Sequence, residues 1–305
     1  PDTWSFFEDS EERLWIGSRQ GLDLYDPSKN SISRLDINLG LPKANNISHK
    51  MQRLSENQIL ITSPGFGFGI YDEVKENIQY LTGTQGIVTL FPSSSIVDSK
   101  GRLWTGSFRN GVVEFIDLEK KEIKMLSNLN GIMGDIVWGF AEDRYGQIWA
   151  GTDLGINVIN PENNTISYLM EEGELSQRNT GAFFKDEDEN PWIGSRSGLL
   201  IVDQNTNSLT EINTENGLSN PAVYTSYGSN GKYYIGTGNG FNLLTPNPEK
   251  KSQGKFGYDL KSFEKGQGLI YTDFNADAVI EFNNKLWWGI ETEALTITNI
   301  PRKDS

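Results

Sequence analysis

A tryptophan in a fixed local context recurs along this chain of 305 residues. An apolar residue precedes the Trp and a Gly follows two residues later; the clear copies are centred on Trp15, Trp104, Trp149, Trp192 and Trp287. Weaker copies at Leu60 and Tyr234 fill the gaps, so that seven copies follow one another at steps of about 42 to 45 residues, the last step excepted. A period of this length is typical of a repeat architecture. The whole chain is therefore predicted to be one array.

A second marker recurs with the same period. It is a Gly followed by an apolar residue, some 24 to 27 residues after each Trp position, as in Gly131-Ile132 and Gly217-Leu218. The sixth copy, Gly268-Leu269, comes about nine residues late. Residues 246–254, which are polar and contain Pro and Gly, account for the delay, and we interpret them as an exposed loop insertion.

Each repeat contains four short strands. In the fourth repeat, the pattern predicts strands at 137–142, 147–152, 155–159 and 165–169, with turn residues at the junctions. Four-stranded units with an aromatic residue on the second strand are typical of propeller blades. The sequence therefore predicts an all-β fold, a seven-bladed β-propeller of four-stranded antiparallel blades, as a single domain over residues 1–305. The blades are expected at about 1–36, 47–82, 92–126, 136–169, 180–213, 222–263 and 276–300.

The seventh unit is incomplete. Strands are predicted at 277–282, 285–291 and 294–299, and no fourth strand follows. An open sheet edge is a pairing hazard that proteins usually cover. We therefore expect this chain to be a piece of a longer polypeptide, or its last blade to be capped by another segment.

Charge and composition argue against several classes of partner. The formal net charge is -14, which disfavours both an anionic membrane and nucleic acid, whose binding needs clustered Lys and Arg. Cysteine is absent, so disulfide and thiol chemistry are excluded. No apolar stretch approaches the roughly 18 to 20 residues that span a bilayer. We expect a module that contacts neither nucleic acid nor a membrane.

The residues around the Trp marker resemble a known repeat. The fourth unit runs from Glu142-Asp143 through Gly146, Ile148-Trp149 and Gly151-Thr152 to Pro161, and the first unit repeats the pattern from Glu8-Asp9 to Pro27. This pattern is similar to the two-component regulator propeller repeat. The match is specific in five of the seven units, and the second and sixth units depart from it because they lack the Trp. The resemblance implies the periplasmic sensor region of a hybrid two-component system of Bacteroidetes, which senses oligosaccharides released from glycans.

The same resemblance implies further parts of a receptor. These are an adjoining propeller, an immunoglobulin-like domain ahead of the membrane, and a full-length protein that is a histidine kinase. Homodimerisation of the full-length receptor stays open. No cofactor is expected.

Catalysis by this domain is not expected. Streptogramin-cleaving lyases share a seven-bladed ring, but their chemistry depends on histidine, and this chain has only His49. The turn from Asp98 to Trp104 has one residue too many for the sialidase pattern, and a glycosidase otherwise needs two carboxylates about 5 to 10 Å apart. No catalytic residue can be named, and a polysaccharide lyase or glycoside hydrolase is the third alternative.

A metal site is not expected either. The run Asp186-Glu187-Asp188-Glu189-Asn190 resembles the start of a calcium-binding loop. Pro191 stands where that loop requires Gly, and Ser197 where it requires Glu. A solvated acidic turn in the fifth blade is the simpler interpretation.

The repeated Trp side chains are interpreted as structural. Trp15, Trp104, Trp149, Trp192 and Trp287 recur once per blade, as packing between blades requires. Aromatic residues that break the period are better candidates for ligand contact. Trp4 and Trp138 both lie eleven residues before their blade's Trp, in a column otherwise occupied by His49, Ser93, Gly181, Val223 and Ala276.

Loops at one end of the blades carry further candidates. The loop after the second strand and the loop into the next blade open on the same side, because strands alternate in direction. The candidate ligand-binding residues are Trp4, Arg19, Phe66, Phe68, Phe108, Arg109, Trp138, Arg178, Arg196, Tyr224 and Tyr271. Four Arg among them would attract anions to this end of a strongly acidic protein.

The sequence thus predicts a non-catalytic, periplasmic ligand-sensing propeller of a two-component receptor that binds an acidic or neutral oligosaccharide. The alternative is a propeller that serves as a protein-interaction scaffold. A broad apolar patch would favour the scaffold, and a few aromatic and Arg side chains in a concavity would favour the sugar site.

Overall fold

The computed structural model describes residues 3–35, 50–63, 67–81, 87, 89, 92–169, 182–206, 208–253, 257–264, 274–290 and 294–297. Within them the chain forms seven antiparallel sheets, six of four strands and one of three, with strands paired in chain order. Two compact units are present, residues 1–177 with four sheets and residues 178–305 with three. The predicted fold class, an all-β seven-bladed β-propeller with an incomplete last blade, is confirmed.

The first unit contains blades one to four. Blade one comprises β1 (Thr3–Glu8), β2 (Leu14–Ser18), β3 (Gly21–Asp26) and β4 (Ser31–Arg34). Blade two comprises β5 (Lys50–Ser55), β6 (Gln58–Ser63), β7 (Gly67–Asp72) and β8 (Asn77–Leu81). Blade three comprises β9 (Pro92–Val97), β10 (Leu103–Ser107), β11 (Val113–Asp117) and β12 (Glu122–Leu126). Blade four comprises β13 (Val137–Glu142), β14 (Ile148–Thr152), β15 (Ile156–Ile159) and β16 (Ile166–Tyr168).

The second unit contains the other three blades. Blade five comprises β17 (Ala182–Lys185), β18 (Pro191–Ser195), β19 (Gly198–Asp203) and β20 (Ser208–Ile212). Blade six comprises β21 (Val223–Ser229), β22 (Lys232–Thr237), β23 (Gly240–Pro246) and β24 (Tyr258–Phe263). Blade seven comprises β25 (Phe274–Phe282), β26 (Lys285–Ile290) and β27 (Ala294–Ile297).

The polar segment expected to be a loop contains a short helix, α1 (Pro248–Ser252). The side chain of Asn247 accepts from the backbone N–H of Lys250 at 3.1 Å, and Pro248 occupies the start of the helix. Both residue types favour a helix start. None of the residues of α1 is buried, so the segment formed a helix without the apolar periodicity that would have predicted one.

An Asp of the preceding turn holds the Trp of four blades. The buried side chains of Trp15, Trp104, Trp149 and Trp192 donate from Nε1 to Asp9, Asp98, Asp143 and Asp186 at 2.8, 2.9, 3.0 and 3.2 Å. Each carboxylate also accepts from the backbone N–H groups two and four residues further on, at 2.8 to 3.0 Å. One carboxylate therefore holds both the turn and the Trp ring.

Blade seven packs its two Trp differently. Trp288 is fully buried beside Phe241 and Phe274, whereas Trp287, at the marker position, is half-buried and lies edge-on to Phe282 with ring centroids 6.4 Å apart. The turn between β25 and β26 consists of Asn283 and Asn284 and has no Asp. The larger share of the core packing in this blade therefore falls to Trp288.

The Gly of the repeated motif lets neighbouring blades approach closely. A Cβ placed on Gly106 would lie 2.5 Å from Cβ of Val137 in the next blade, and one on Gly194 would lie 2.7 Å from Cγ1 of Val223. Atoms do not pack at these separations, so only Gly fits. The Trp of the motif thus fills the core, and its Gly allows the first strand of the following blade to pack closely.

The second marker is held by amides of the third strand. Asn157 of β15 accepts from the backbone N–H of Met133 at 2.8 Å and donates to its carbonyl at 3.0 Å. Asn242 of β23 accepts from the backbone N–H of Ser219 at 3.0 Å. Gly131 and Gly217 turn the chain just before these contacts, with φ of 102° and 106°, a conformation that favours glycine. The loops that lead into the first strands are therefore fixed in place.

Candidate ligand-binding surface

The first strands of blades one, three, four and six carry a β-bulge near their start. The pairing with the second strand skips Trp4 in β1, Ser93 in β9, Trp138 in β13 and Tyr224 in β21. A bulge re-aims the side chain of the extra residue. Three aromatic residues of the candidate set therefore share one structural position, which we call the bulge position.

Tyr224, and not Val223, occupies the bulge position of blade six. Counting eleven residues back from Tyr234 leads to Val223. In the structure Tyr227 pairs with Tyr234, whereas the matching pair in blade one is Phe7 with Trp15. The hairpin of blade six is one residue shorter, which moves the column by one. The sequence alignment of this column was wrong because it assumed hairpins of equal length.

Trp138 lies beside an exposed aromatic side chain of the preceding blade. Phe108, on the turn after β10, meets the Trp138 ring edge-on with centroids 6.3 Å apart and planes at 85°, and it is 41% exposed. The hydroxyl of Ser93 donates to the carbonyl of Val137 at 2.5 Å and so joins the bulges of blades three and four. Nε1 of Trp138 is shielded from solvent and has no acceptor among the described residues.

Trp4 is covered by a cation. The guanidinium carbon of Arg19, on the turn after β2, lies 5.3 Å from the centroid of the Trp4 ring. This is the distance of a cation–π contact. Nε1 of Trp4, like that of Trp138, is shielded and finds no acceptor in the part of the chain that the structure describes.

Two further Arg side chains stand at the same end of their own blades. Arg109 follows β10 and Arg196 follows β18; both are exposed, and neither forms an ion pair within the described residues. Other guanidinium groups are tied to carboxylates, as Arg102 is to Asp98 at 2.6 Å. Arg109 and Arg196 therefore remain available for an anionic partner.

The loops around Phe108 form a braced frame. Asp153 accepts from the backbone N–H groups of Asp135 and Ile136 at 2.8 and 3.0 Å. Asn128 donates to the carboxylate of Asp135 at 3.1 Å, and the backbone N–H of Gly111 donates to the Asp135 carbonyl at 2.8 Å. Three loops of blades three and four are thereby joined.

Sequence reasoning missed the apolar side chains on this frame. Leu129 is 97% exposed on a short 3-10 turn with a capping box, and Leu154, after β14, is 45% exposed. Leu129 lies between two Asn residues, and an apolar residue inside a polar turn was the signal that could have revealed it.

The other candidates are placed as follows. Phe68 has no exposed surface and packs in the core with Leu60 and Leu103, so it belongs to strand β7 and not to a loop surface. Arg196 and Tyr224 lie in the second unit, and Trp4, Arg19, Phe108, Arg109 and Trp138 lie in the first. Phe66, Arg178 and Tyr271, together with His49, lie outside the described residues.

The acidic run of blade five is a hairpin turn. Asp186 accepts from the backbone N–H groups of Asp188 and Asn190 at 3.0 and 2.8 Å and from the indole of Trp192. Its carboxylate thus acts as the counterpart of Asp9 in blade one. Within the described residues, no group of three or more His, Cys, Asp or Glu side chains is placed to hold a metal ion.

Fold and surface together define a seven-bladed β-propeller with aromatic and cationic side chains at the ends of its blades. No model of a protein family matches the chain, and no curated protein matches it by sequence. Solved structures do match. The extracellular domain of a protein described as a hybrid two component system of B. thetaiotaomicron is 14% identical, with a TM-score of 0.76 over 98% of this chain and 40% of that one.

A second such extracellular domain of B. thetaiotaomicron is 17% identical, with a TM-score of 0.74 over 97% of this chain and 38% of that one. Virginiamycin B lyase from Staphylococcus aureus is 11% identical, with a TM-score of 0.71 over 97% and 94% of the two chains. The chain thus has the propeller fold found in extracellular domains of two-component systems, as its resemblance to the two-component regulator propeller predicts. It spans about two fifths of the length of the two extracellular domains from B. thetaiotaomicron.

Among the described residues, no helix has the length and apolar character needed to cross a membrane.

Proposed function

We propose that this chain is a non-catalytic sensing propeller, in the periplasmic part of a two-component receptor, and that it binds oligosaccharides derived from glycans. The observation that carries the proposal is the exposed guanidinium group of Arg109, next to the exposed ring of Phe108, which has no carboxylate partner among the described residues of a protein with net charge -14. Similarity of fold to extracellular domains of hybrid two-component systems supports it. The adjoining propeller, the immunoglobulin-like domain and the kinase belong to the same proposal.

An acidic oligosaccharide fits these side chains best. A guanidinium pairs with a carboxylate or sulfate through two parallel hydrogen bonds. Phe108, adjacent to Arg109, offers an exposed aromatic face for the apolar side of a sugar ring. A uronic acid or a sulfated sugar would engage both.

The test is a thermal-shift screen followed by calorimetry. The probes are four hexasaccharides, from cellulose, xylan, homogalacturonan and chondroitin sulfate. We expect an acidic hexasaccharide to raise the melting temperature, and Arg109→Ala to lower its affinity about tenfold or more, because hydrogen bonds to charged groups are strong. Lys285→Ala, which removes an exposed charge at the opposite end of blade seven, is the control and should bind normally. Unchanged affinity in folded Arg109→Ala would place the site elsewhere.

An interaction scaffold is the second candidate, and Leu129 favours it. The equivalent turn between blades five and six carries Glu215 at the position of Leu129, with the same capping box and a Gly at its end. Leu129→Glu should therefore fold normally. If the chain captures a protein from a periplasmic extract and this variant does not, the scaffold is favoured; hexasaccharide binding by the variant should be unaffected under the sensor proposal.

An enzyme is the third candidate, because the fold is shared with virginiamycin B lyase of Staphylococcus aureus. Under the sensor proposal, incubation of the purified chain with the four hexasaccharides yields no product. Product whose rate is lost on mutating one carboxylate would favour the enzyme.

A further inference from the structure

Trp4 and Trp138 differ from the Trp side chains that Asp residues hold. In blades one and four, the indoles of Trp15 and Trp149 each donate to an Asp. The Nε1 atoms of Trp4 and Trp138, in the same blades, are shielded from solvent and have no acceptor within the described residues. A shielded donor without a partner destabilises a fold. Nε1 of Trp288 in blade seven also has no acceptor among the described residues, but that ring is fully buried in the core. Trp4 and Trp138 differ from it because they lie at the bulge position, in contact with exposed side chains of nearby turns.

Both indoles lie under side chains of nearby turns. Arg19 lies over the ring of Trp4, and Phe108 lies edge-on to the ring of Trp138. Arg19 and Phe108 are exposed and belong to turns after a second strand. A rotation of each side chain into solvent would expose more of the indole beside it.

We propose that the oligosaccharide displaces Arg19 from the ring of Trp4, turns Phe108 from the ring of Trp138 onto a sugar ring, and receives hydrogen bonds from Nε1 of Trp4 and of Trp138. An indole N–H donates and cannot accept, so the contacted ligand atom is an oxygen with a lone pair, such as a ring, hydroxyl or carboxylate oxygen of a sugar. Arg19 then turns toward the anionic groups of the ligand. The inference rests on the proposed function and adds the groups that read the sugar.

The same position sets which blades contribute. Trp stands there in blades one and four, Tyr224 in blade six and Ser93 in blade three. Ser93 is already committed to the carbonyl of Val137. Within the first unit, the bulge positions that can contact the ligand are therefore those of blades one and four.

The test removes the donor and keeps a smaller aromatic ring. Trp4→Phe and Trp138→Phe are titrated by calorimetry with whichever of the four hexasaccharides raises the melting temperature most. We expect each variant to bind about tenfold more weakly. The melting temperatures should fall only by the small amount that the lost ring area explains, because neither N–H makes a hydrogen bond among the described residues of the free protein. Tyr145→Phe, an exposed aromatic at the other end of the β13–β14 hairpin, is the control.

A second readout follows the donors directly. In chain labelled with ¹⁵N-tryptophan, the indole signals of Trp4 and Trp138 are assigned by their loss in the two variants. At saturating hexasaccharide both should move downfield, whereas those of Trp15 and Trp149 should stay. Unchanged affinity in the double variant Trp4→Phe/Trp138→Phe, or unmoved indole signals, would overturn this inference and leave the sensor function standing. Absence of binding by all four hexasaccharides to the unmodified chain would overturn the proposed function as well.

Discussion

Asp143, in the turn between β13 and β14, accepts three hydrogen bonds. The donors are Nε1 of Trp149 at 3.0 Å and the backbone N–H groups of Tyr145 and Gln147 at 2.9 Å each. A carboxylate with several donors around it is well solvated by the protein even when buried. At the scale of single residues, this acceptor decides what a Trp can do. A Trp six residues after such an Asp is committed to the core, and a Trp at the bulge position is free to take another acceptor.

Asp143→Ala should therefore destabilise the protein strongly. The change leaves one indole and two turn amides without their acceptor, and we expect a loss of about 3 kcal/mol in the free energy of unfolding. Urea denaturation followed by circular dichroism measures it. Glu215→Ala is the control: it removes an exposed carboxylate and should cost less than about 0.5 kcal/mol. Equal stability of the two variants would contradict the anchoring role of Asp143.

At the scale of the blade, a Gly on the second strand of one unit leaves space for the first strand of the next unit. Gly106 of β10 faces Val137 and Phe140 of β13, and Gly194 of β18 faces Val223 of β21. The loops between blades are held in addition by Asn157 and its counterparts on the third strand. The spacing between the two sequence markers thus reflects one blade's core and its connection to the following blade.

Gly106→Ala tests this close approach of neighbouring blades. A methyl group at this position would meet Val137 Cβ at 2.5 Å and Cγ1 at 2.6 Å, and relief requires the two blades to separate. Overpacking of this kind costs about 1 to 3 kcal/mol. The matched change Gly238→Ala places a methyl group 3.2 Å from the side chain of Asn220, which can yield, and should cost less. If Gly106→Ala unfolds at the same urea concentration as the unmodified chain, the close approach of the blades is not required for stability.

The elements were more predictable than the site. Strand patterning and the Trp period predicted the fold class, because packing between blades requires a large buried side chain at the same strand position in each unit. The sequence misplaced the bulge position in blade six only. The hairpin of that blade is one residue shorter, so Tyr224 occupies the position and not Val223. Phe68 was expected on a loop, but β7 starts at Gly67 and draws it into the core. The hydrogen bonds of Asp135 and Asp153 join three loops near Phe108. A local sequence pattern could not predict them, because the loops are separated along the chain.

At the scale of the whole molecule, the negative charge is partly neutralised in the turns between third and fourth strands. Asp26, Asp72 and Asp117 each accept a hydrogen bond from a Lys three residues on. These contacts lower the pKa of all three carboxyl groups. In a protein of net charge -14, the exposed guanidinium group of Arg109, which has no carboxylate partner among the described residues, supports an anionic ligand without identifying it. The ligand itself could not be predicted, because many sugars present the same oxygen atoms.

Buried tyrosines set the upper pH limit of stability. Burial, with the charges of Asp186 and Glu187, raises the pKa of Tyr233 to about 12, and burial beside Tyr233 raises the pKa of Tyr258 further. Both lie above the value of about 10 for an exposed tyrosine. Since the folded protein holds its phenol protons more tightly than the unfolded chain does, this stability is complete below about pH 10 and is lost as the pH rises through the folded pKa.

The expected outcome is a fall in the urea midpoint between pH 8 and pH 11. Tyr233→Phe/Tyr258→Phe should reduce that fall, because two of the groups that ionise are gone; Tyr71, Tyr80 and Tyr234, whose pKa values burial also raises, keep part of it. Tyr145→Phe, with an exposed ring, should show the same fall as the unmodified chain. An identical fall in the double variant would mean that other groups cause alkaline unfolding. Comparison of midpoints at the two pH values within each variant separates this effect from any loss of packing, since packing acts equally at both.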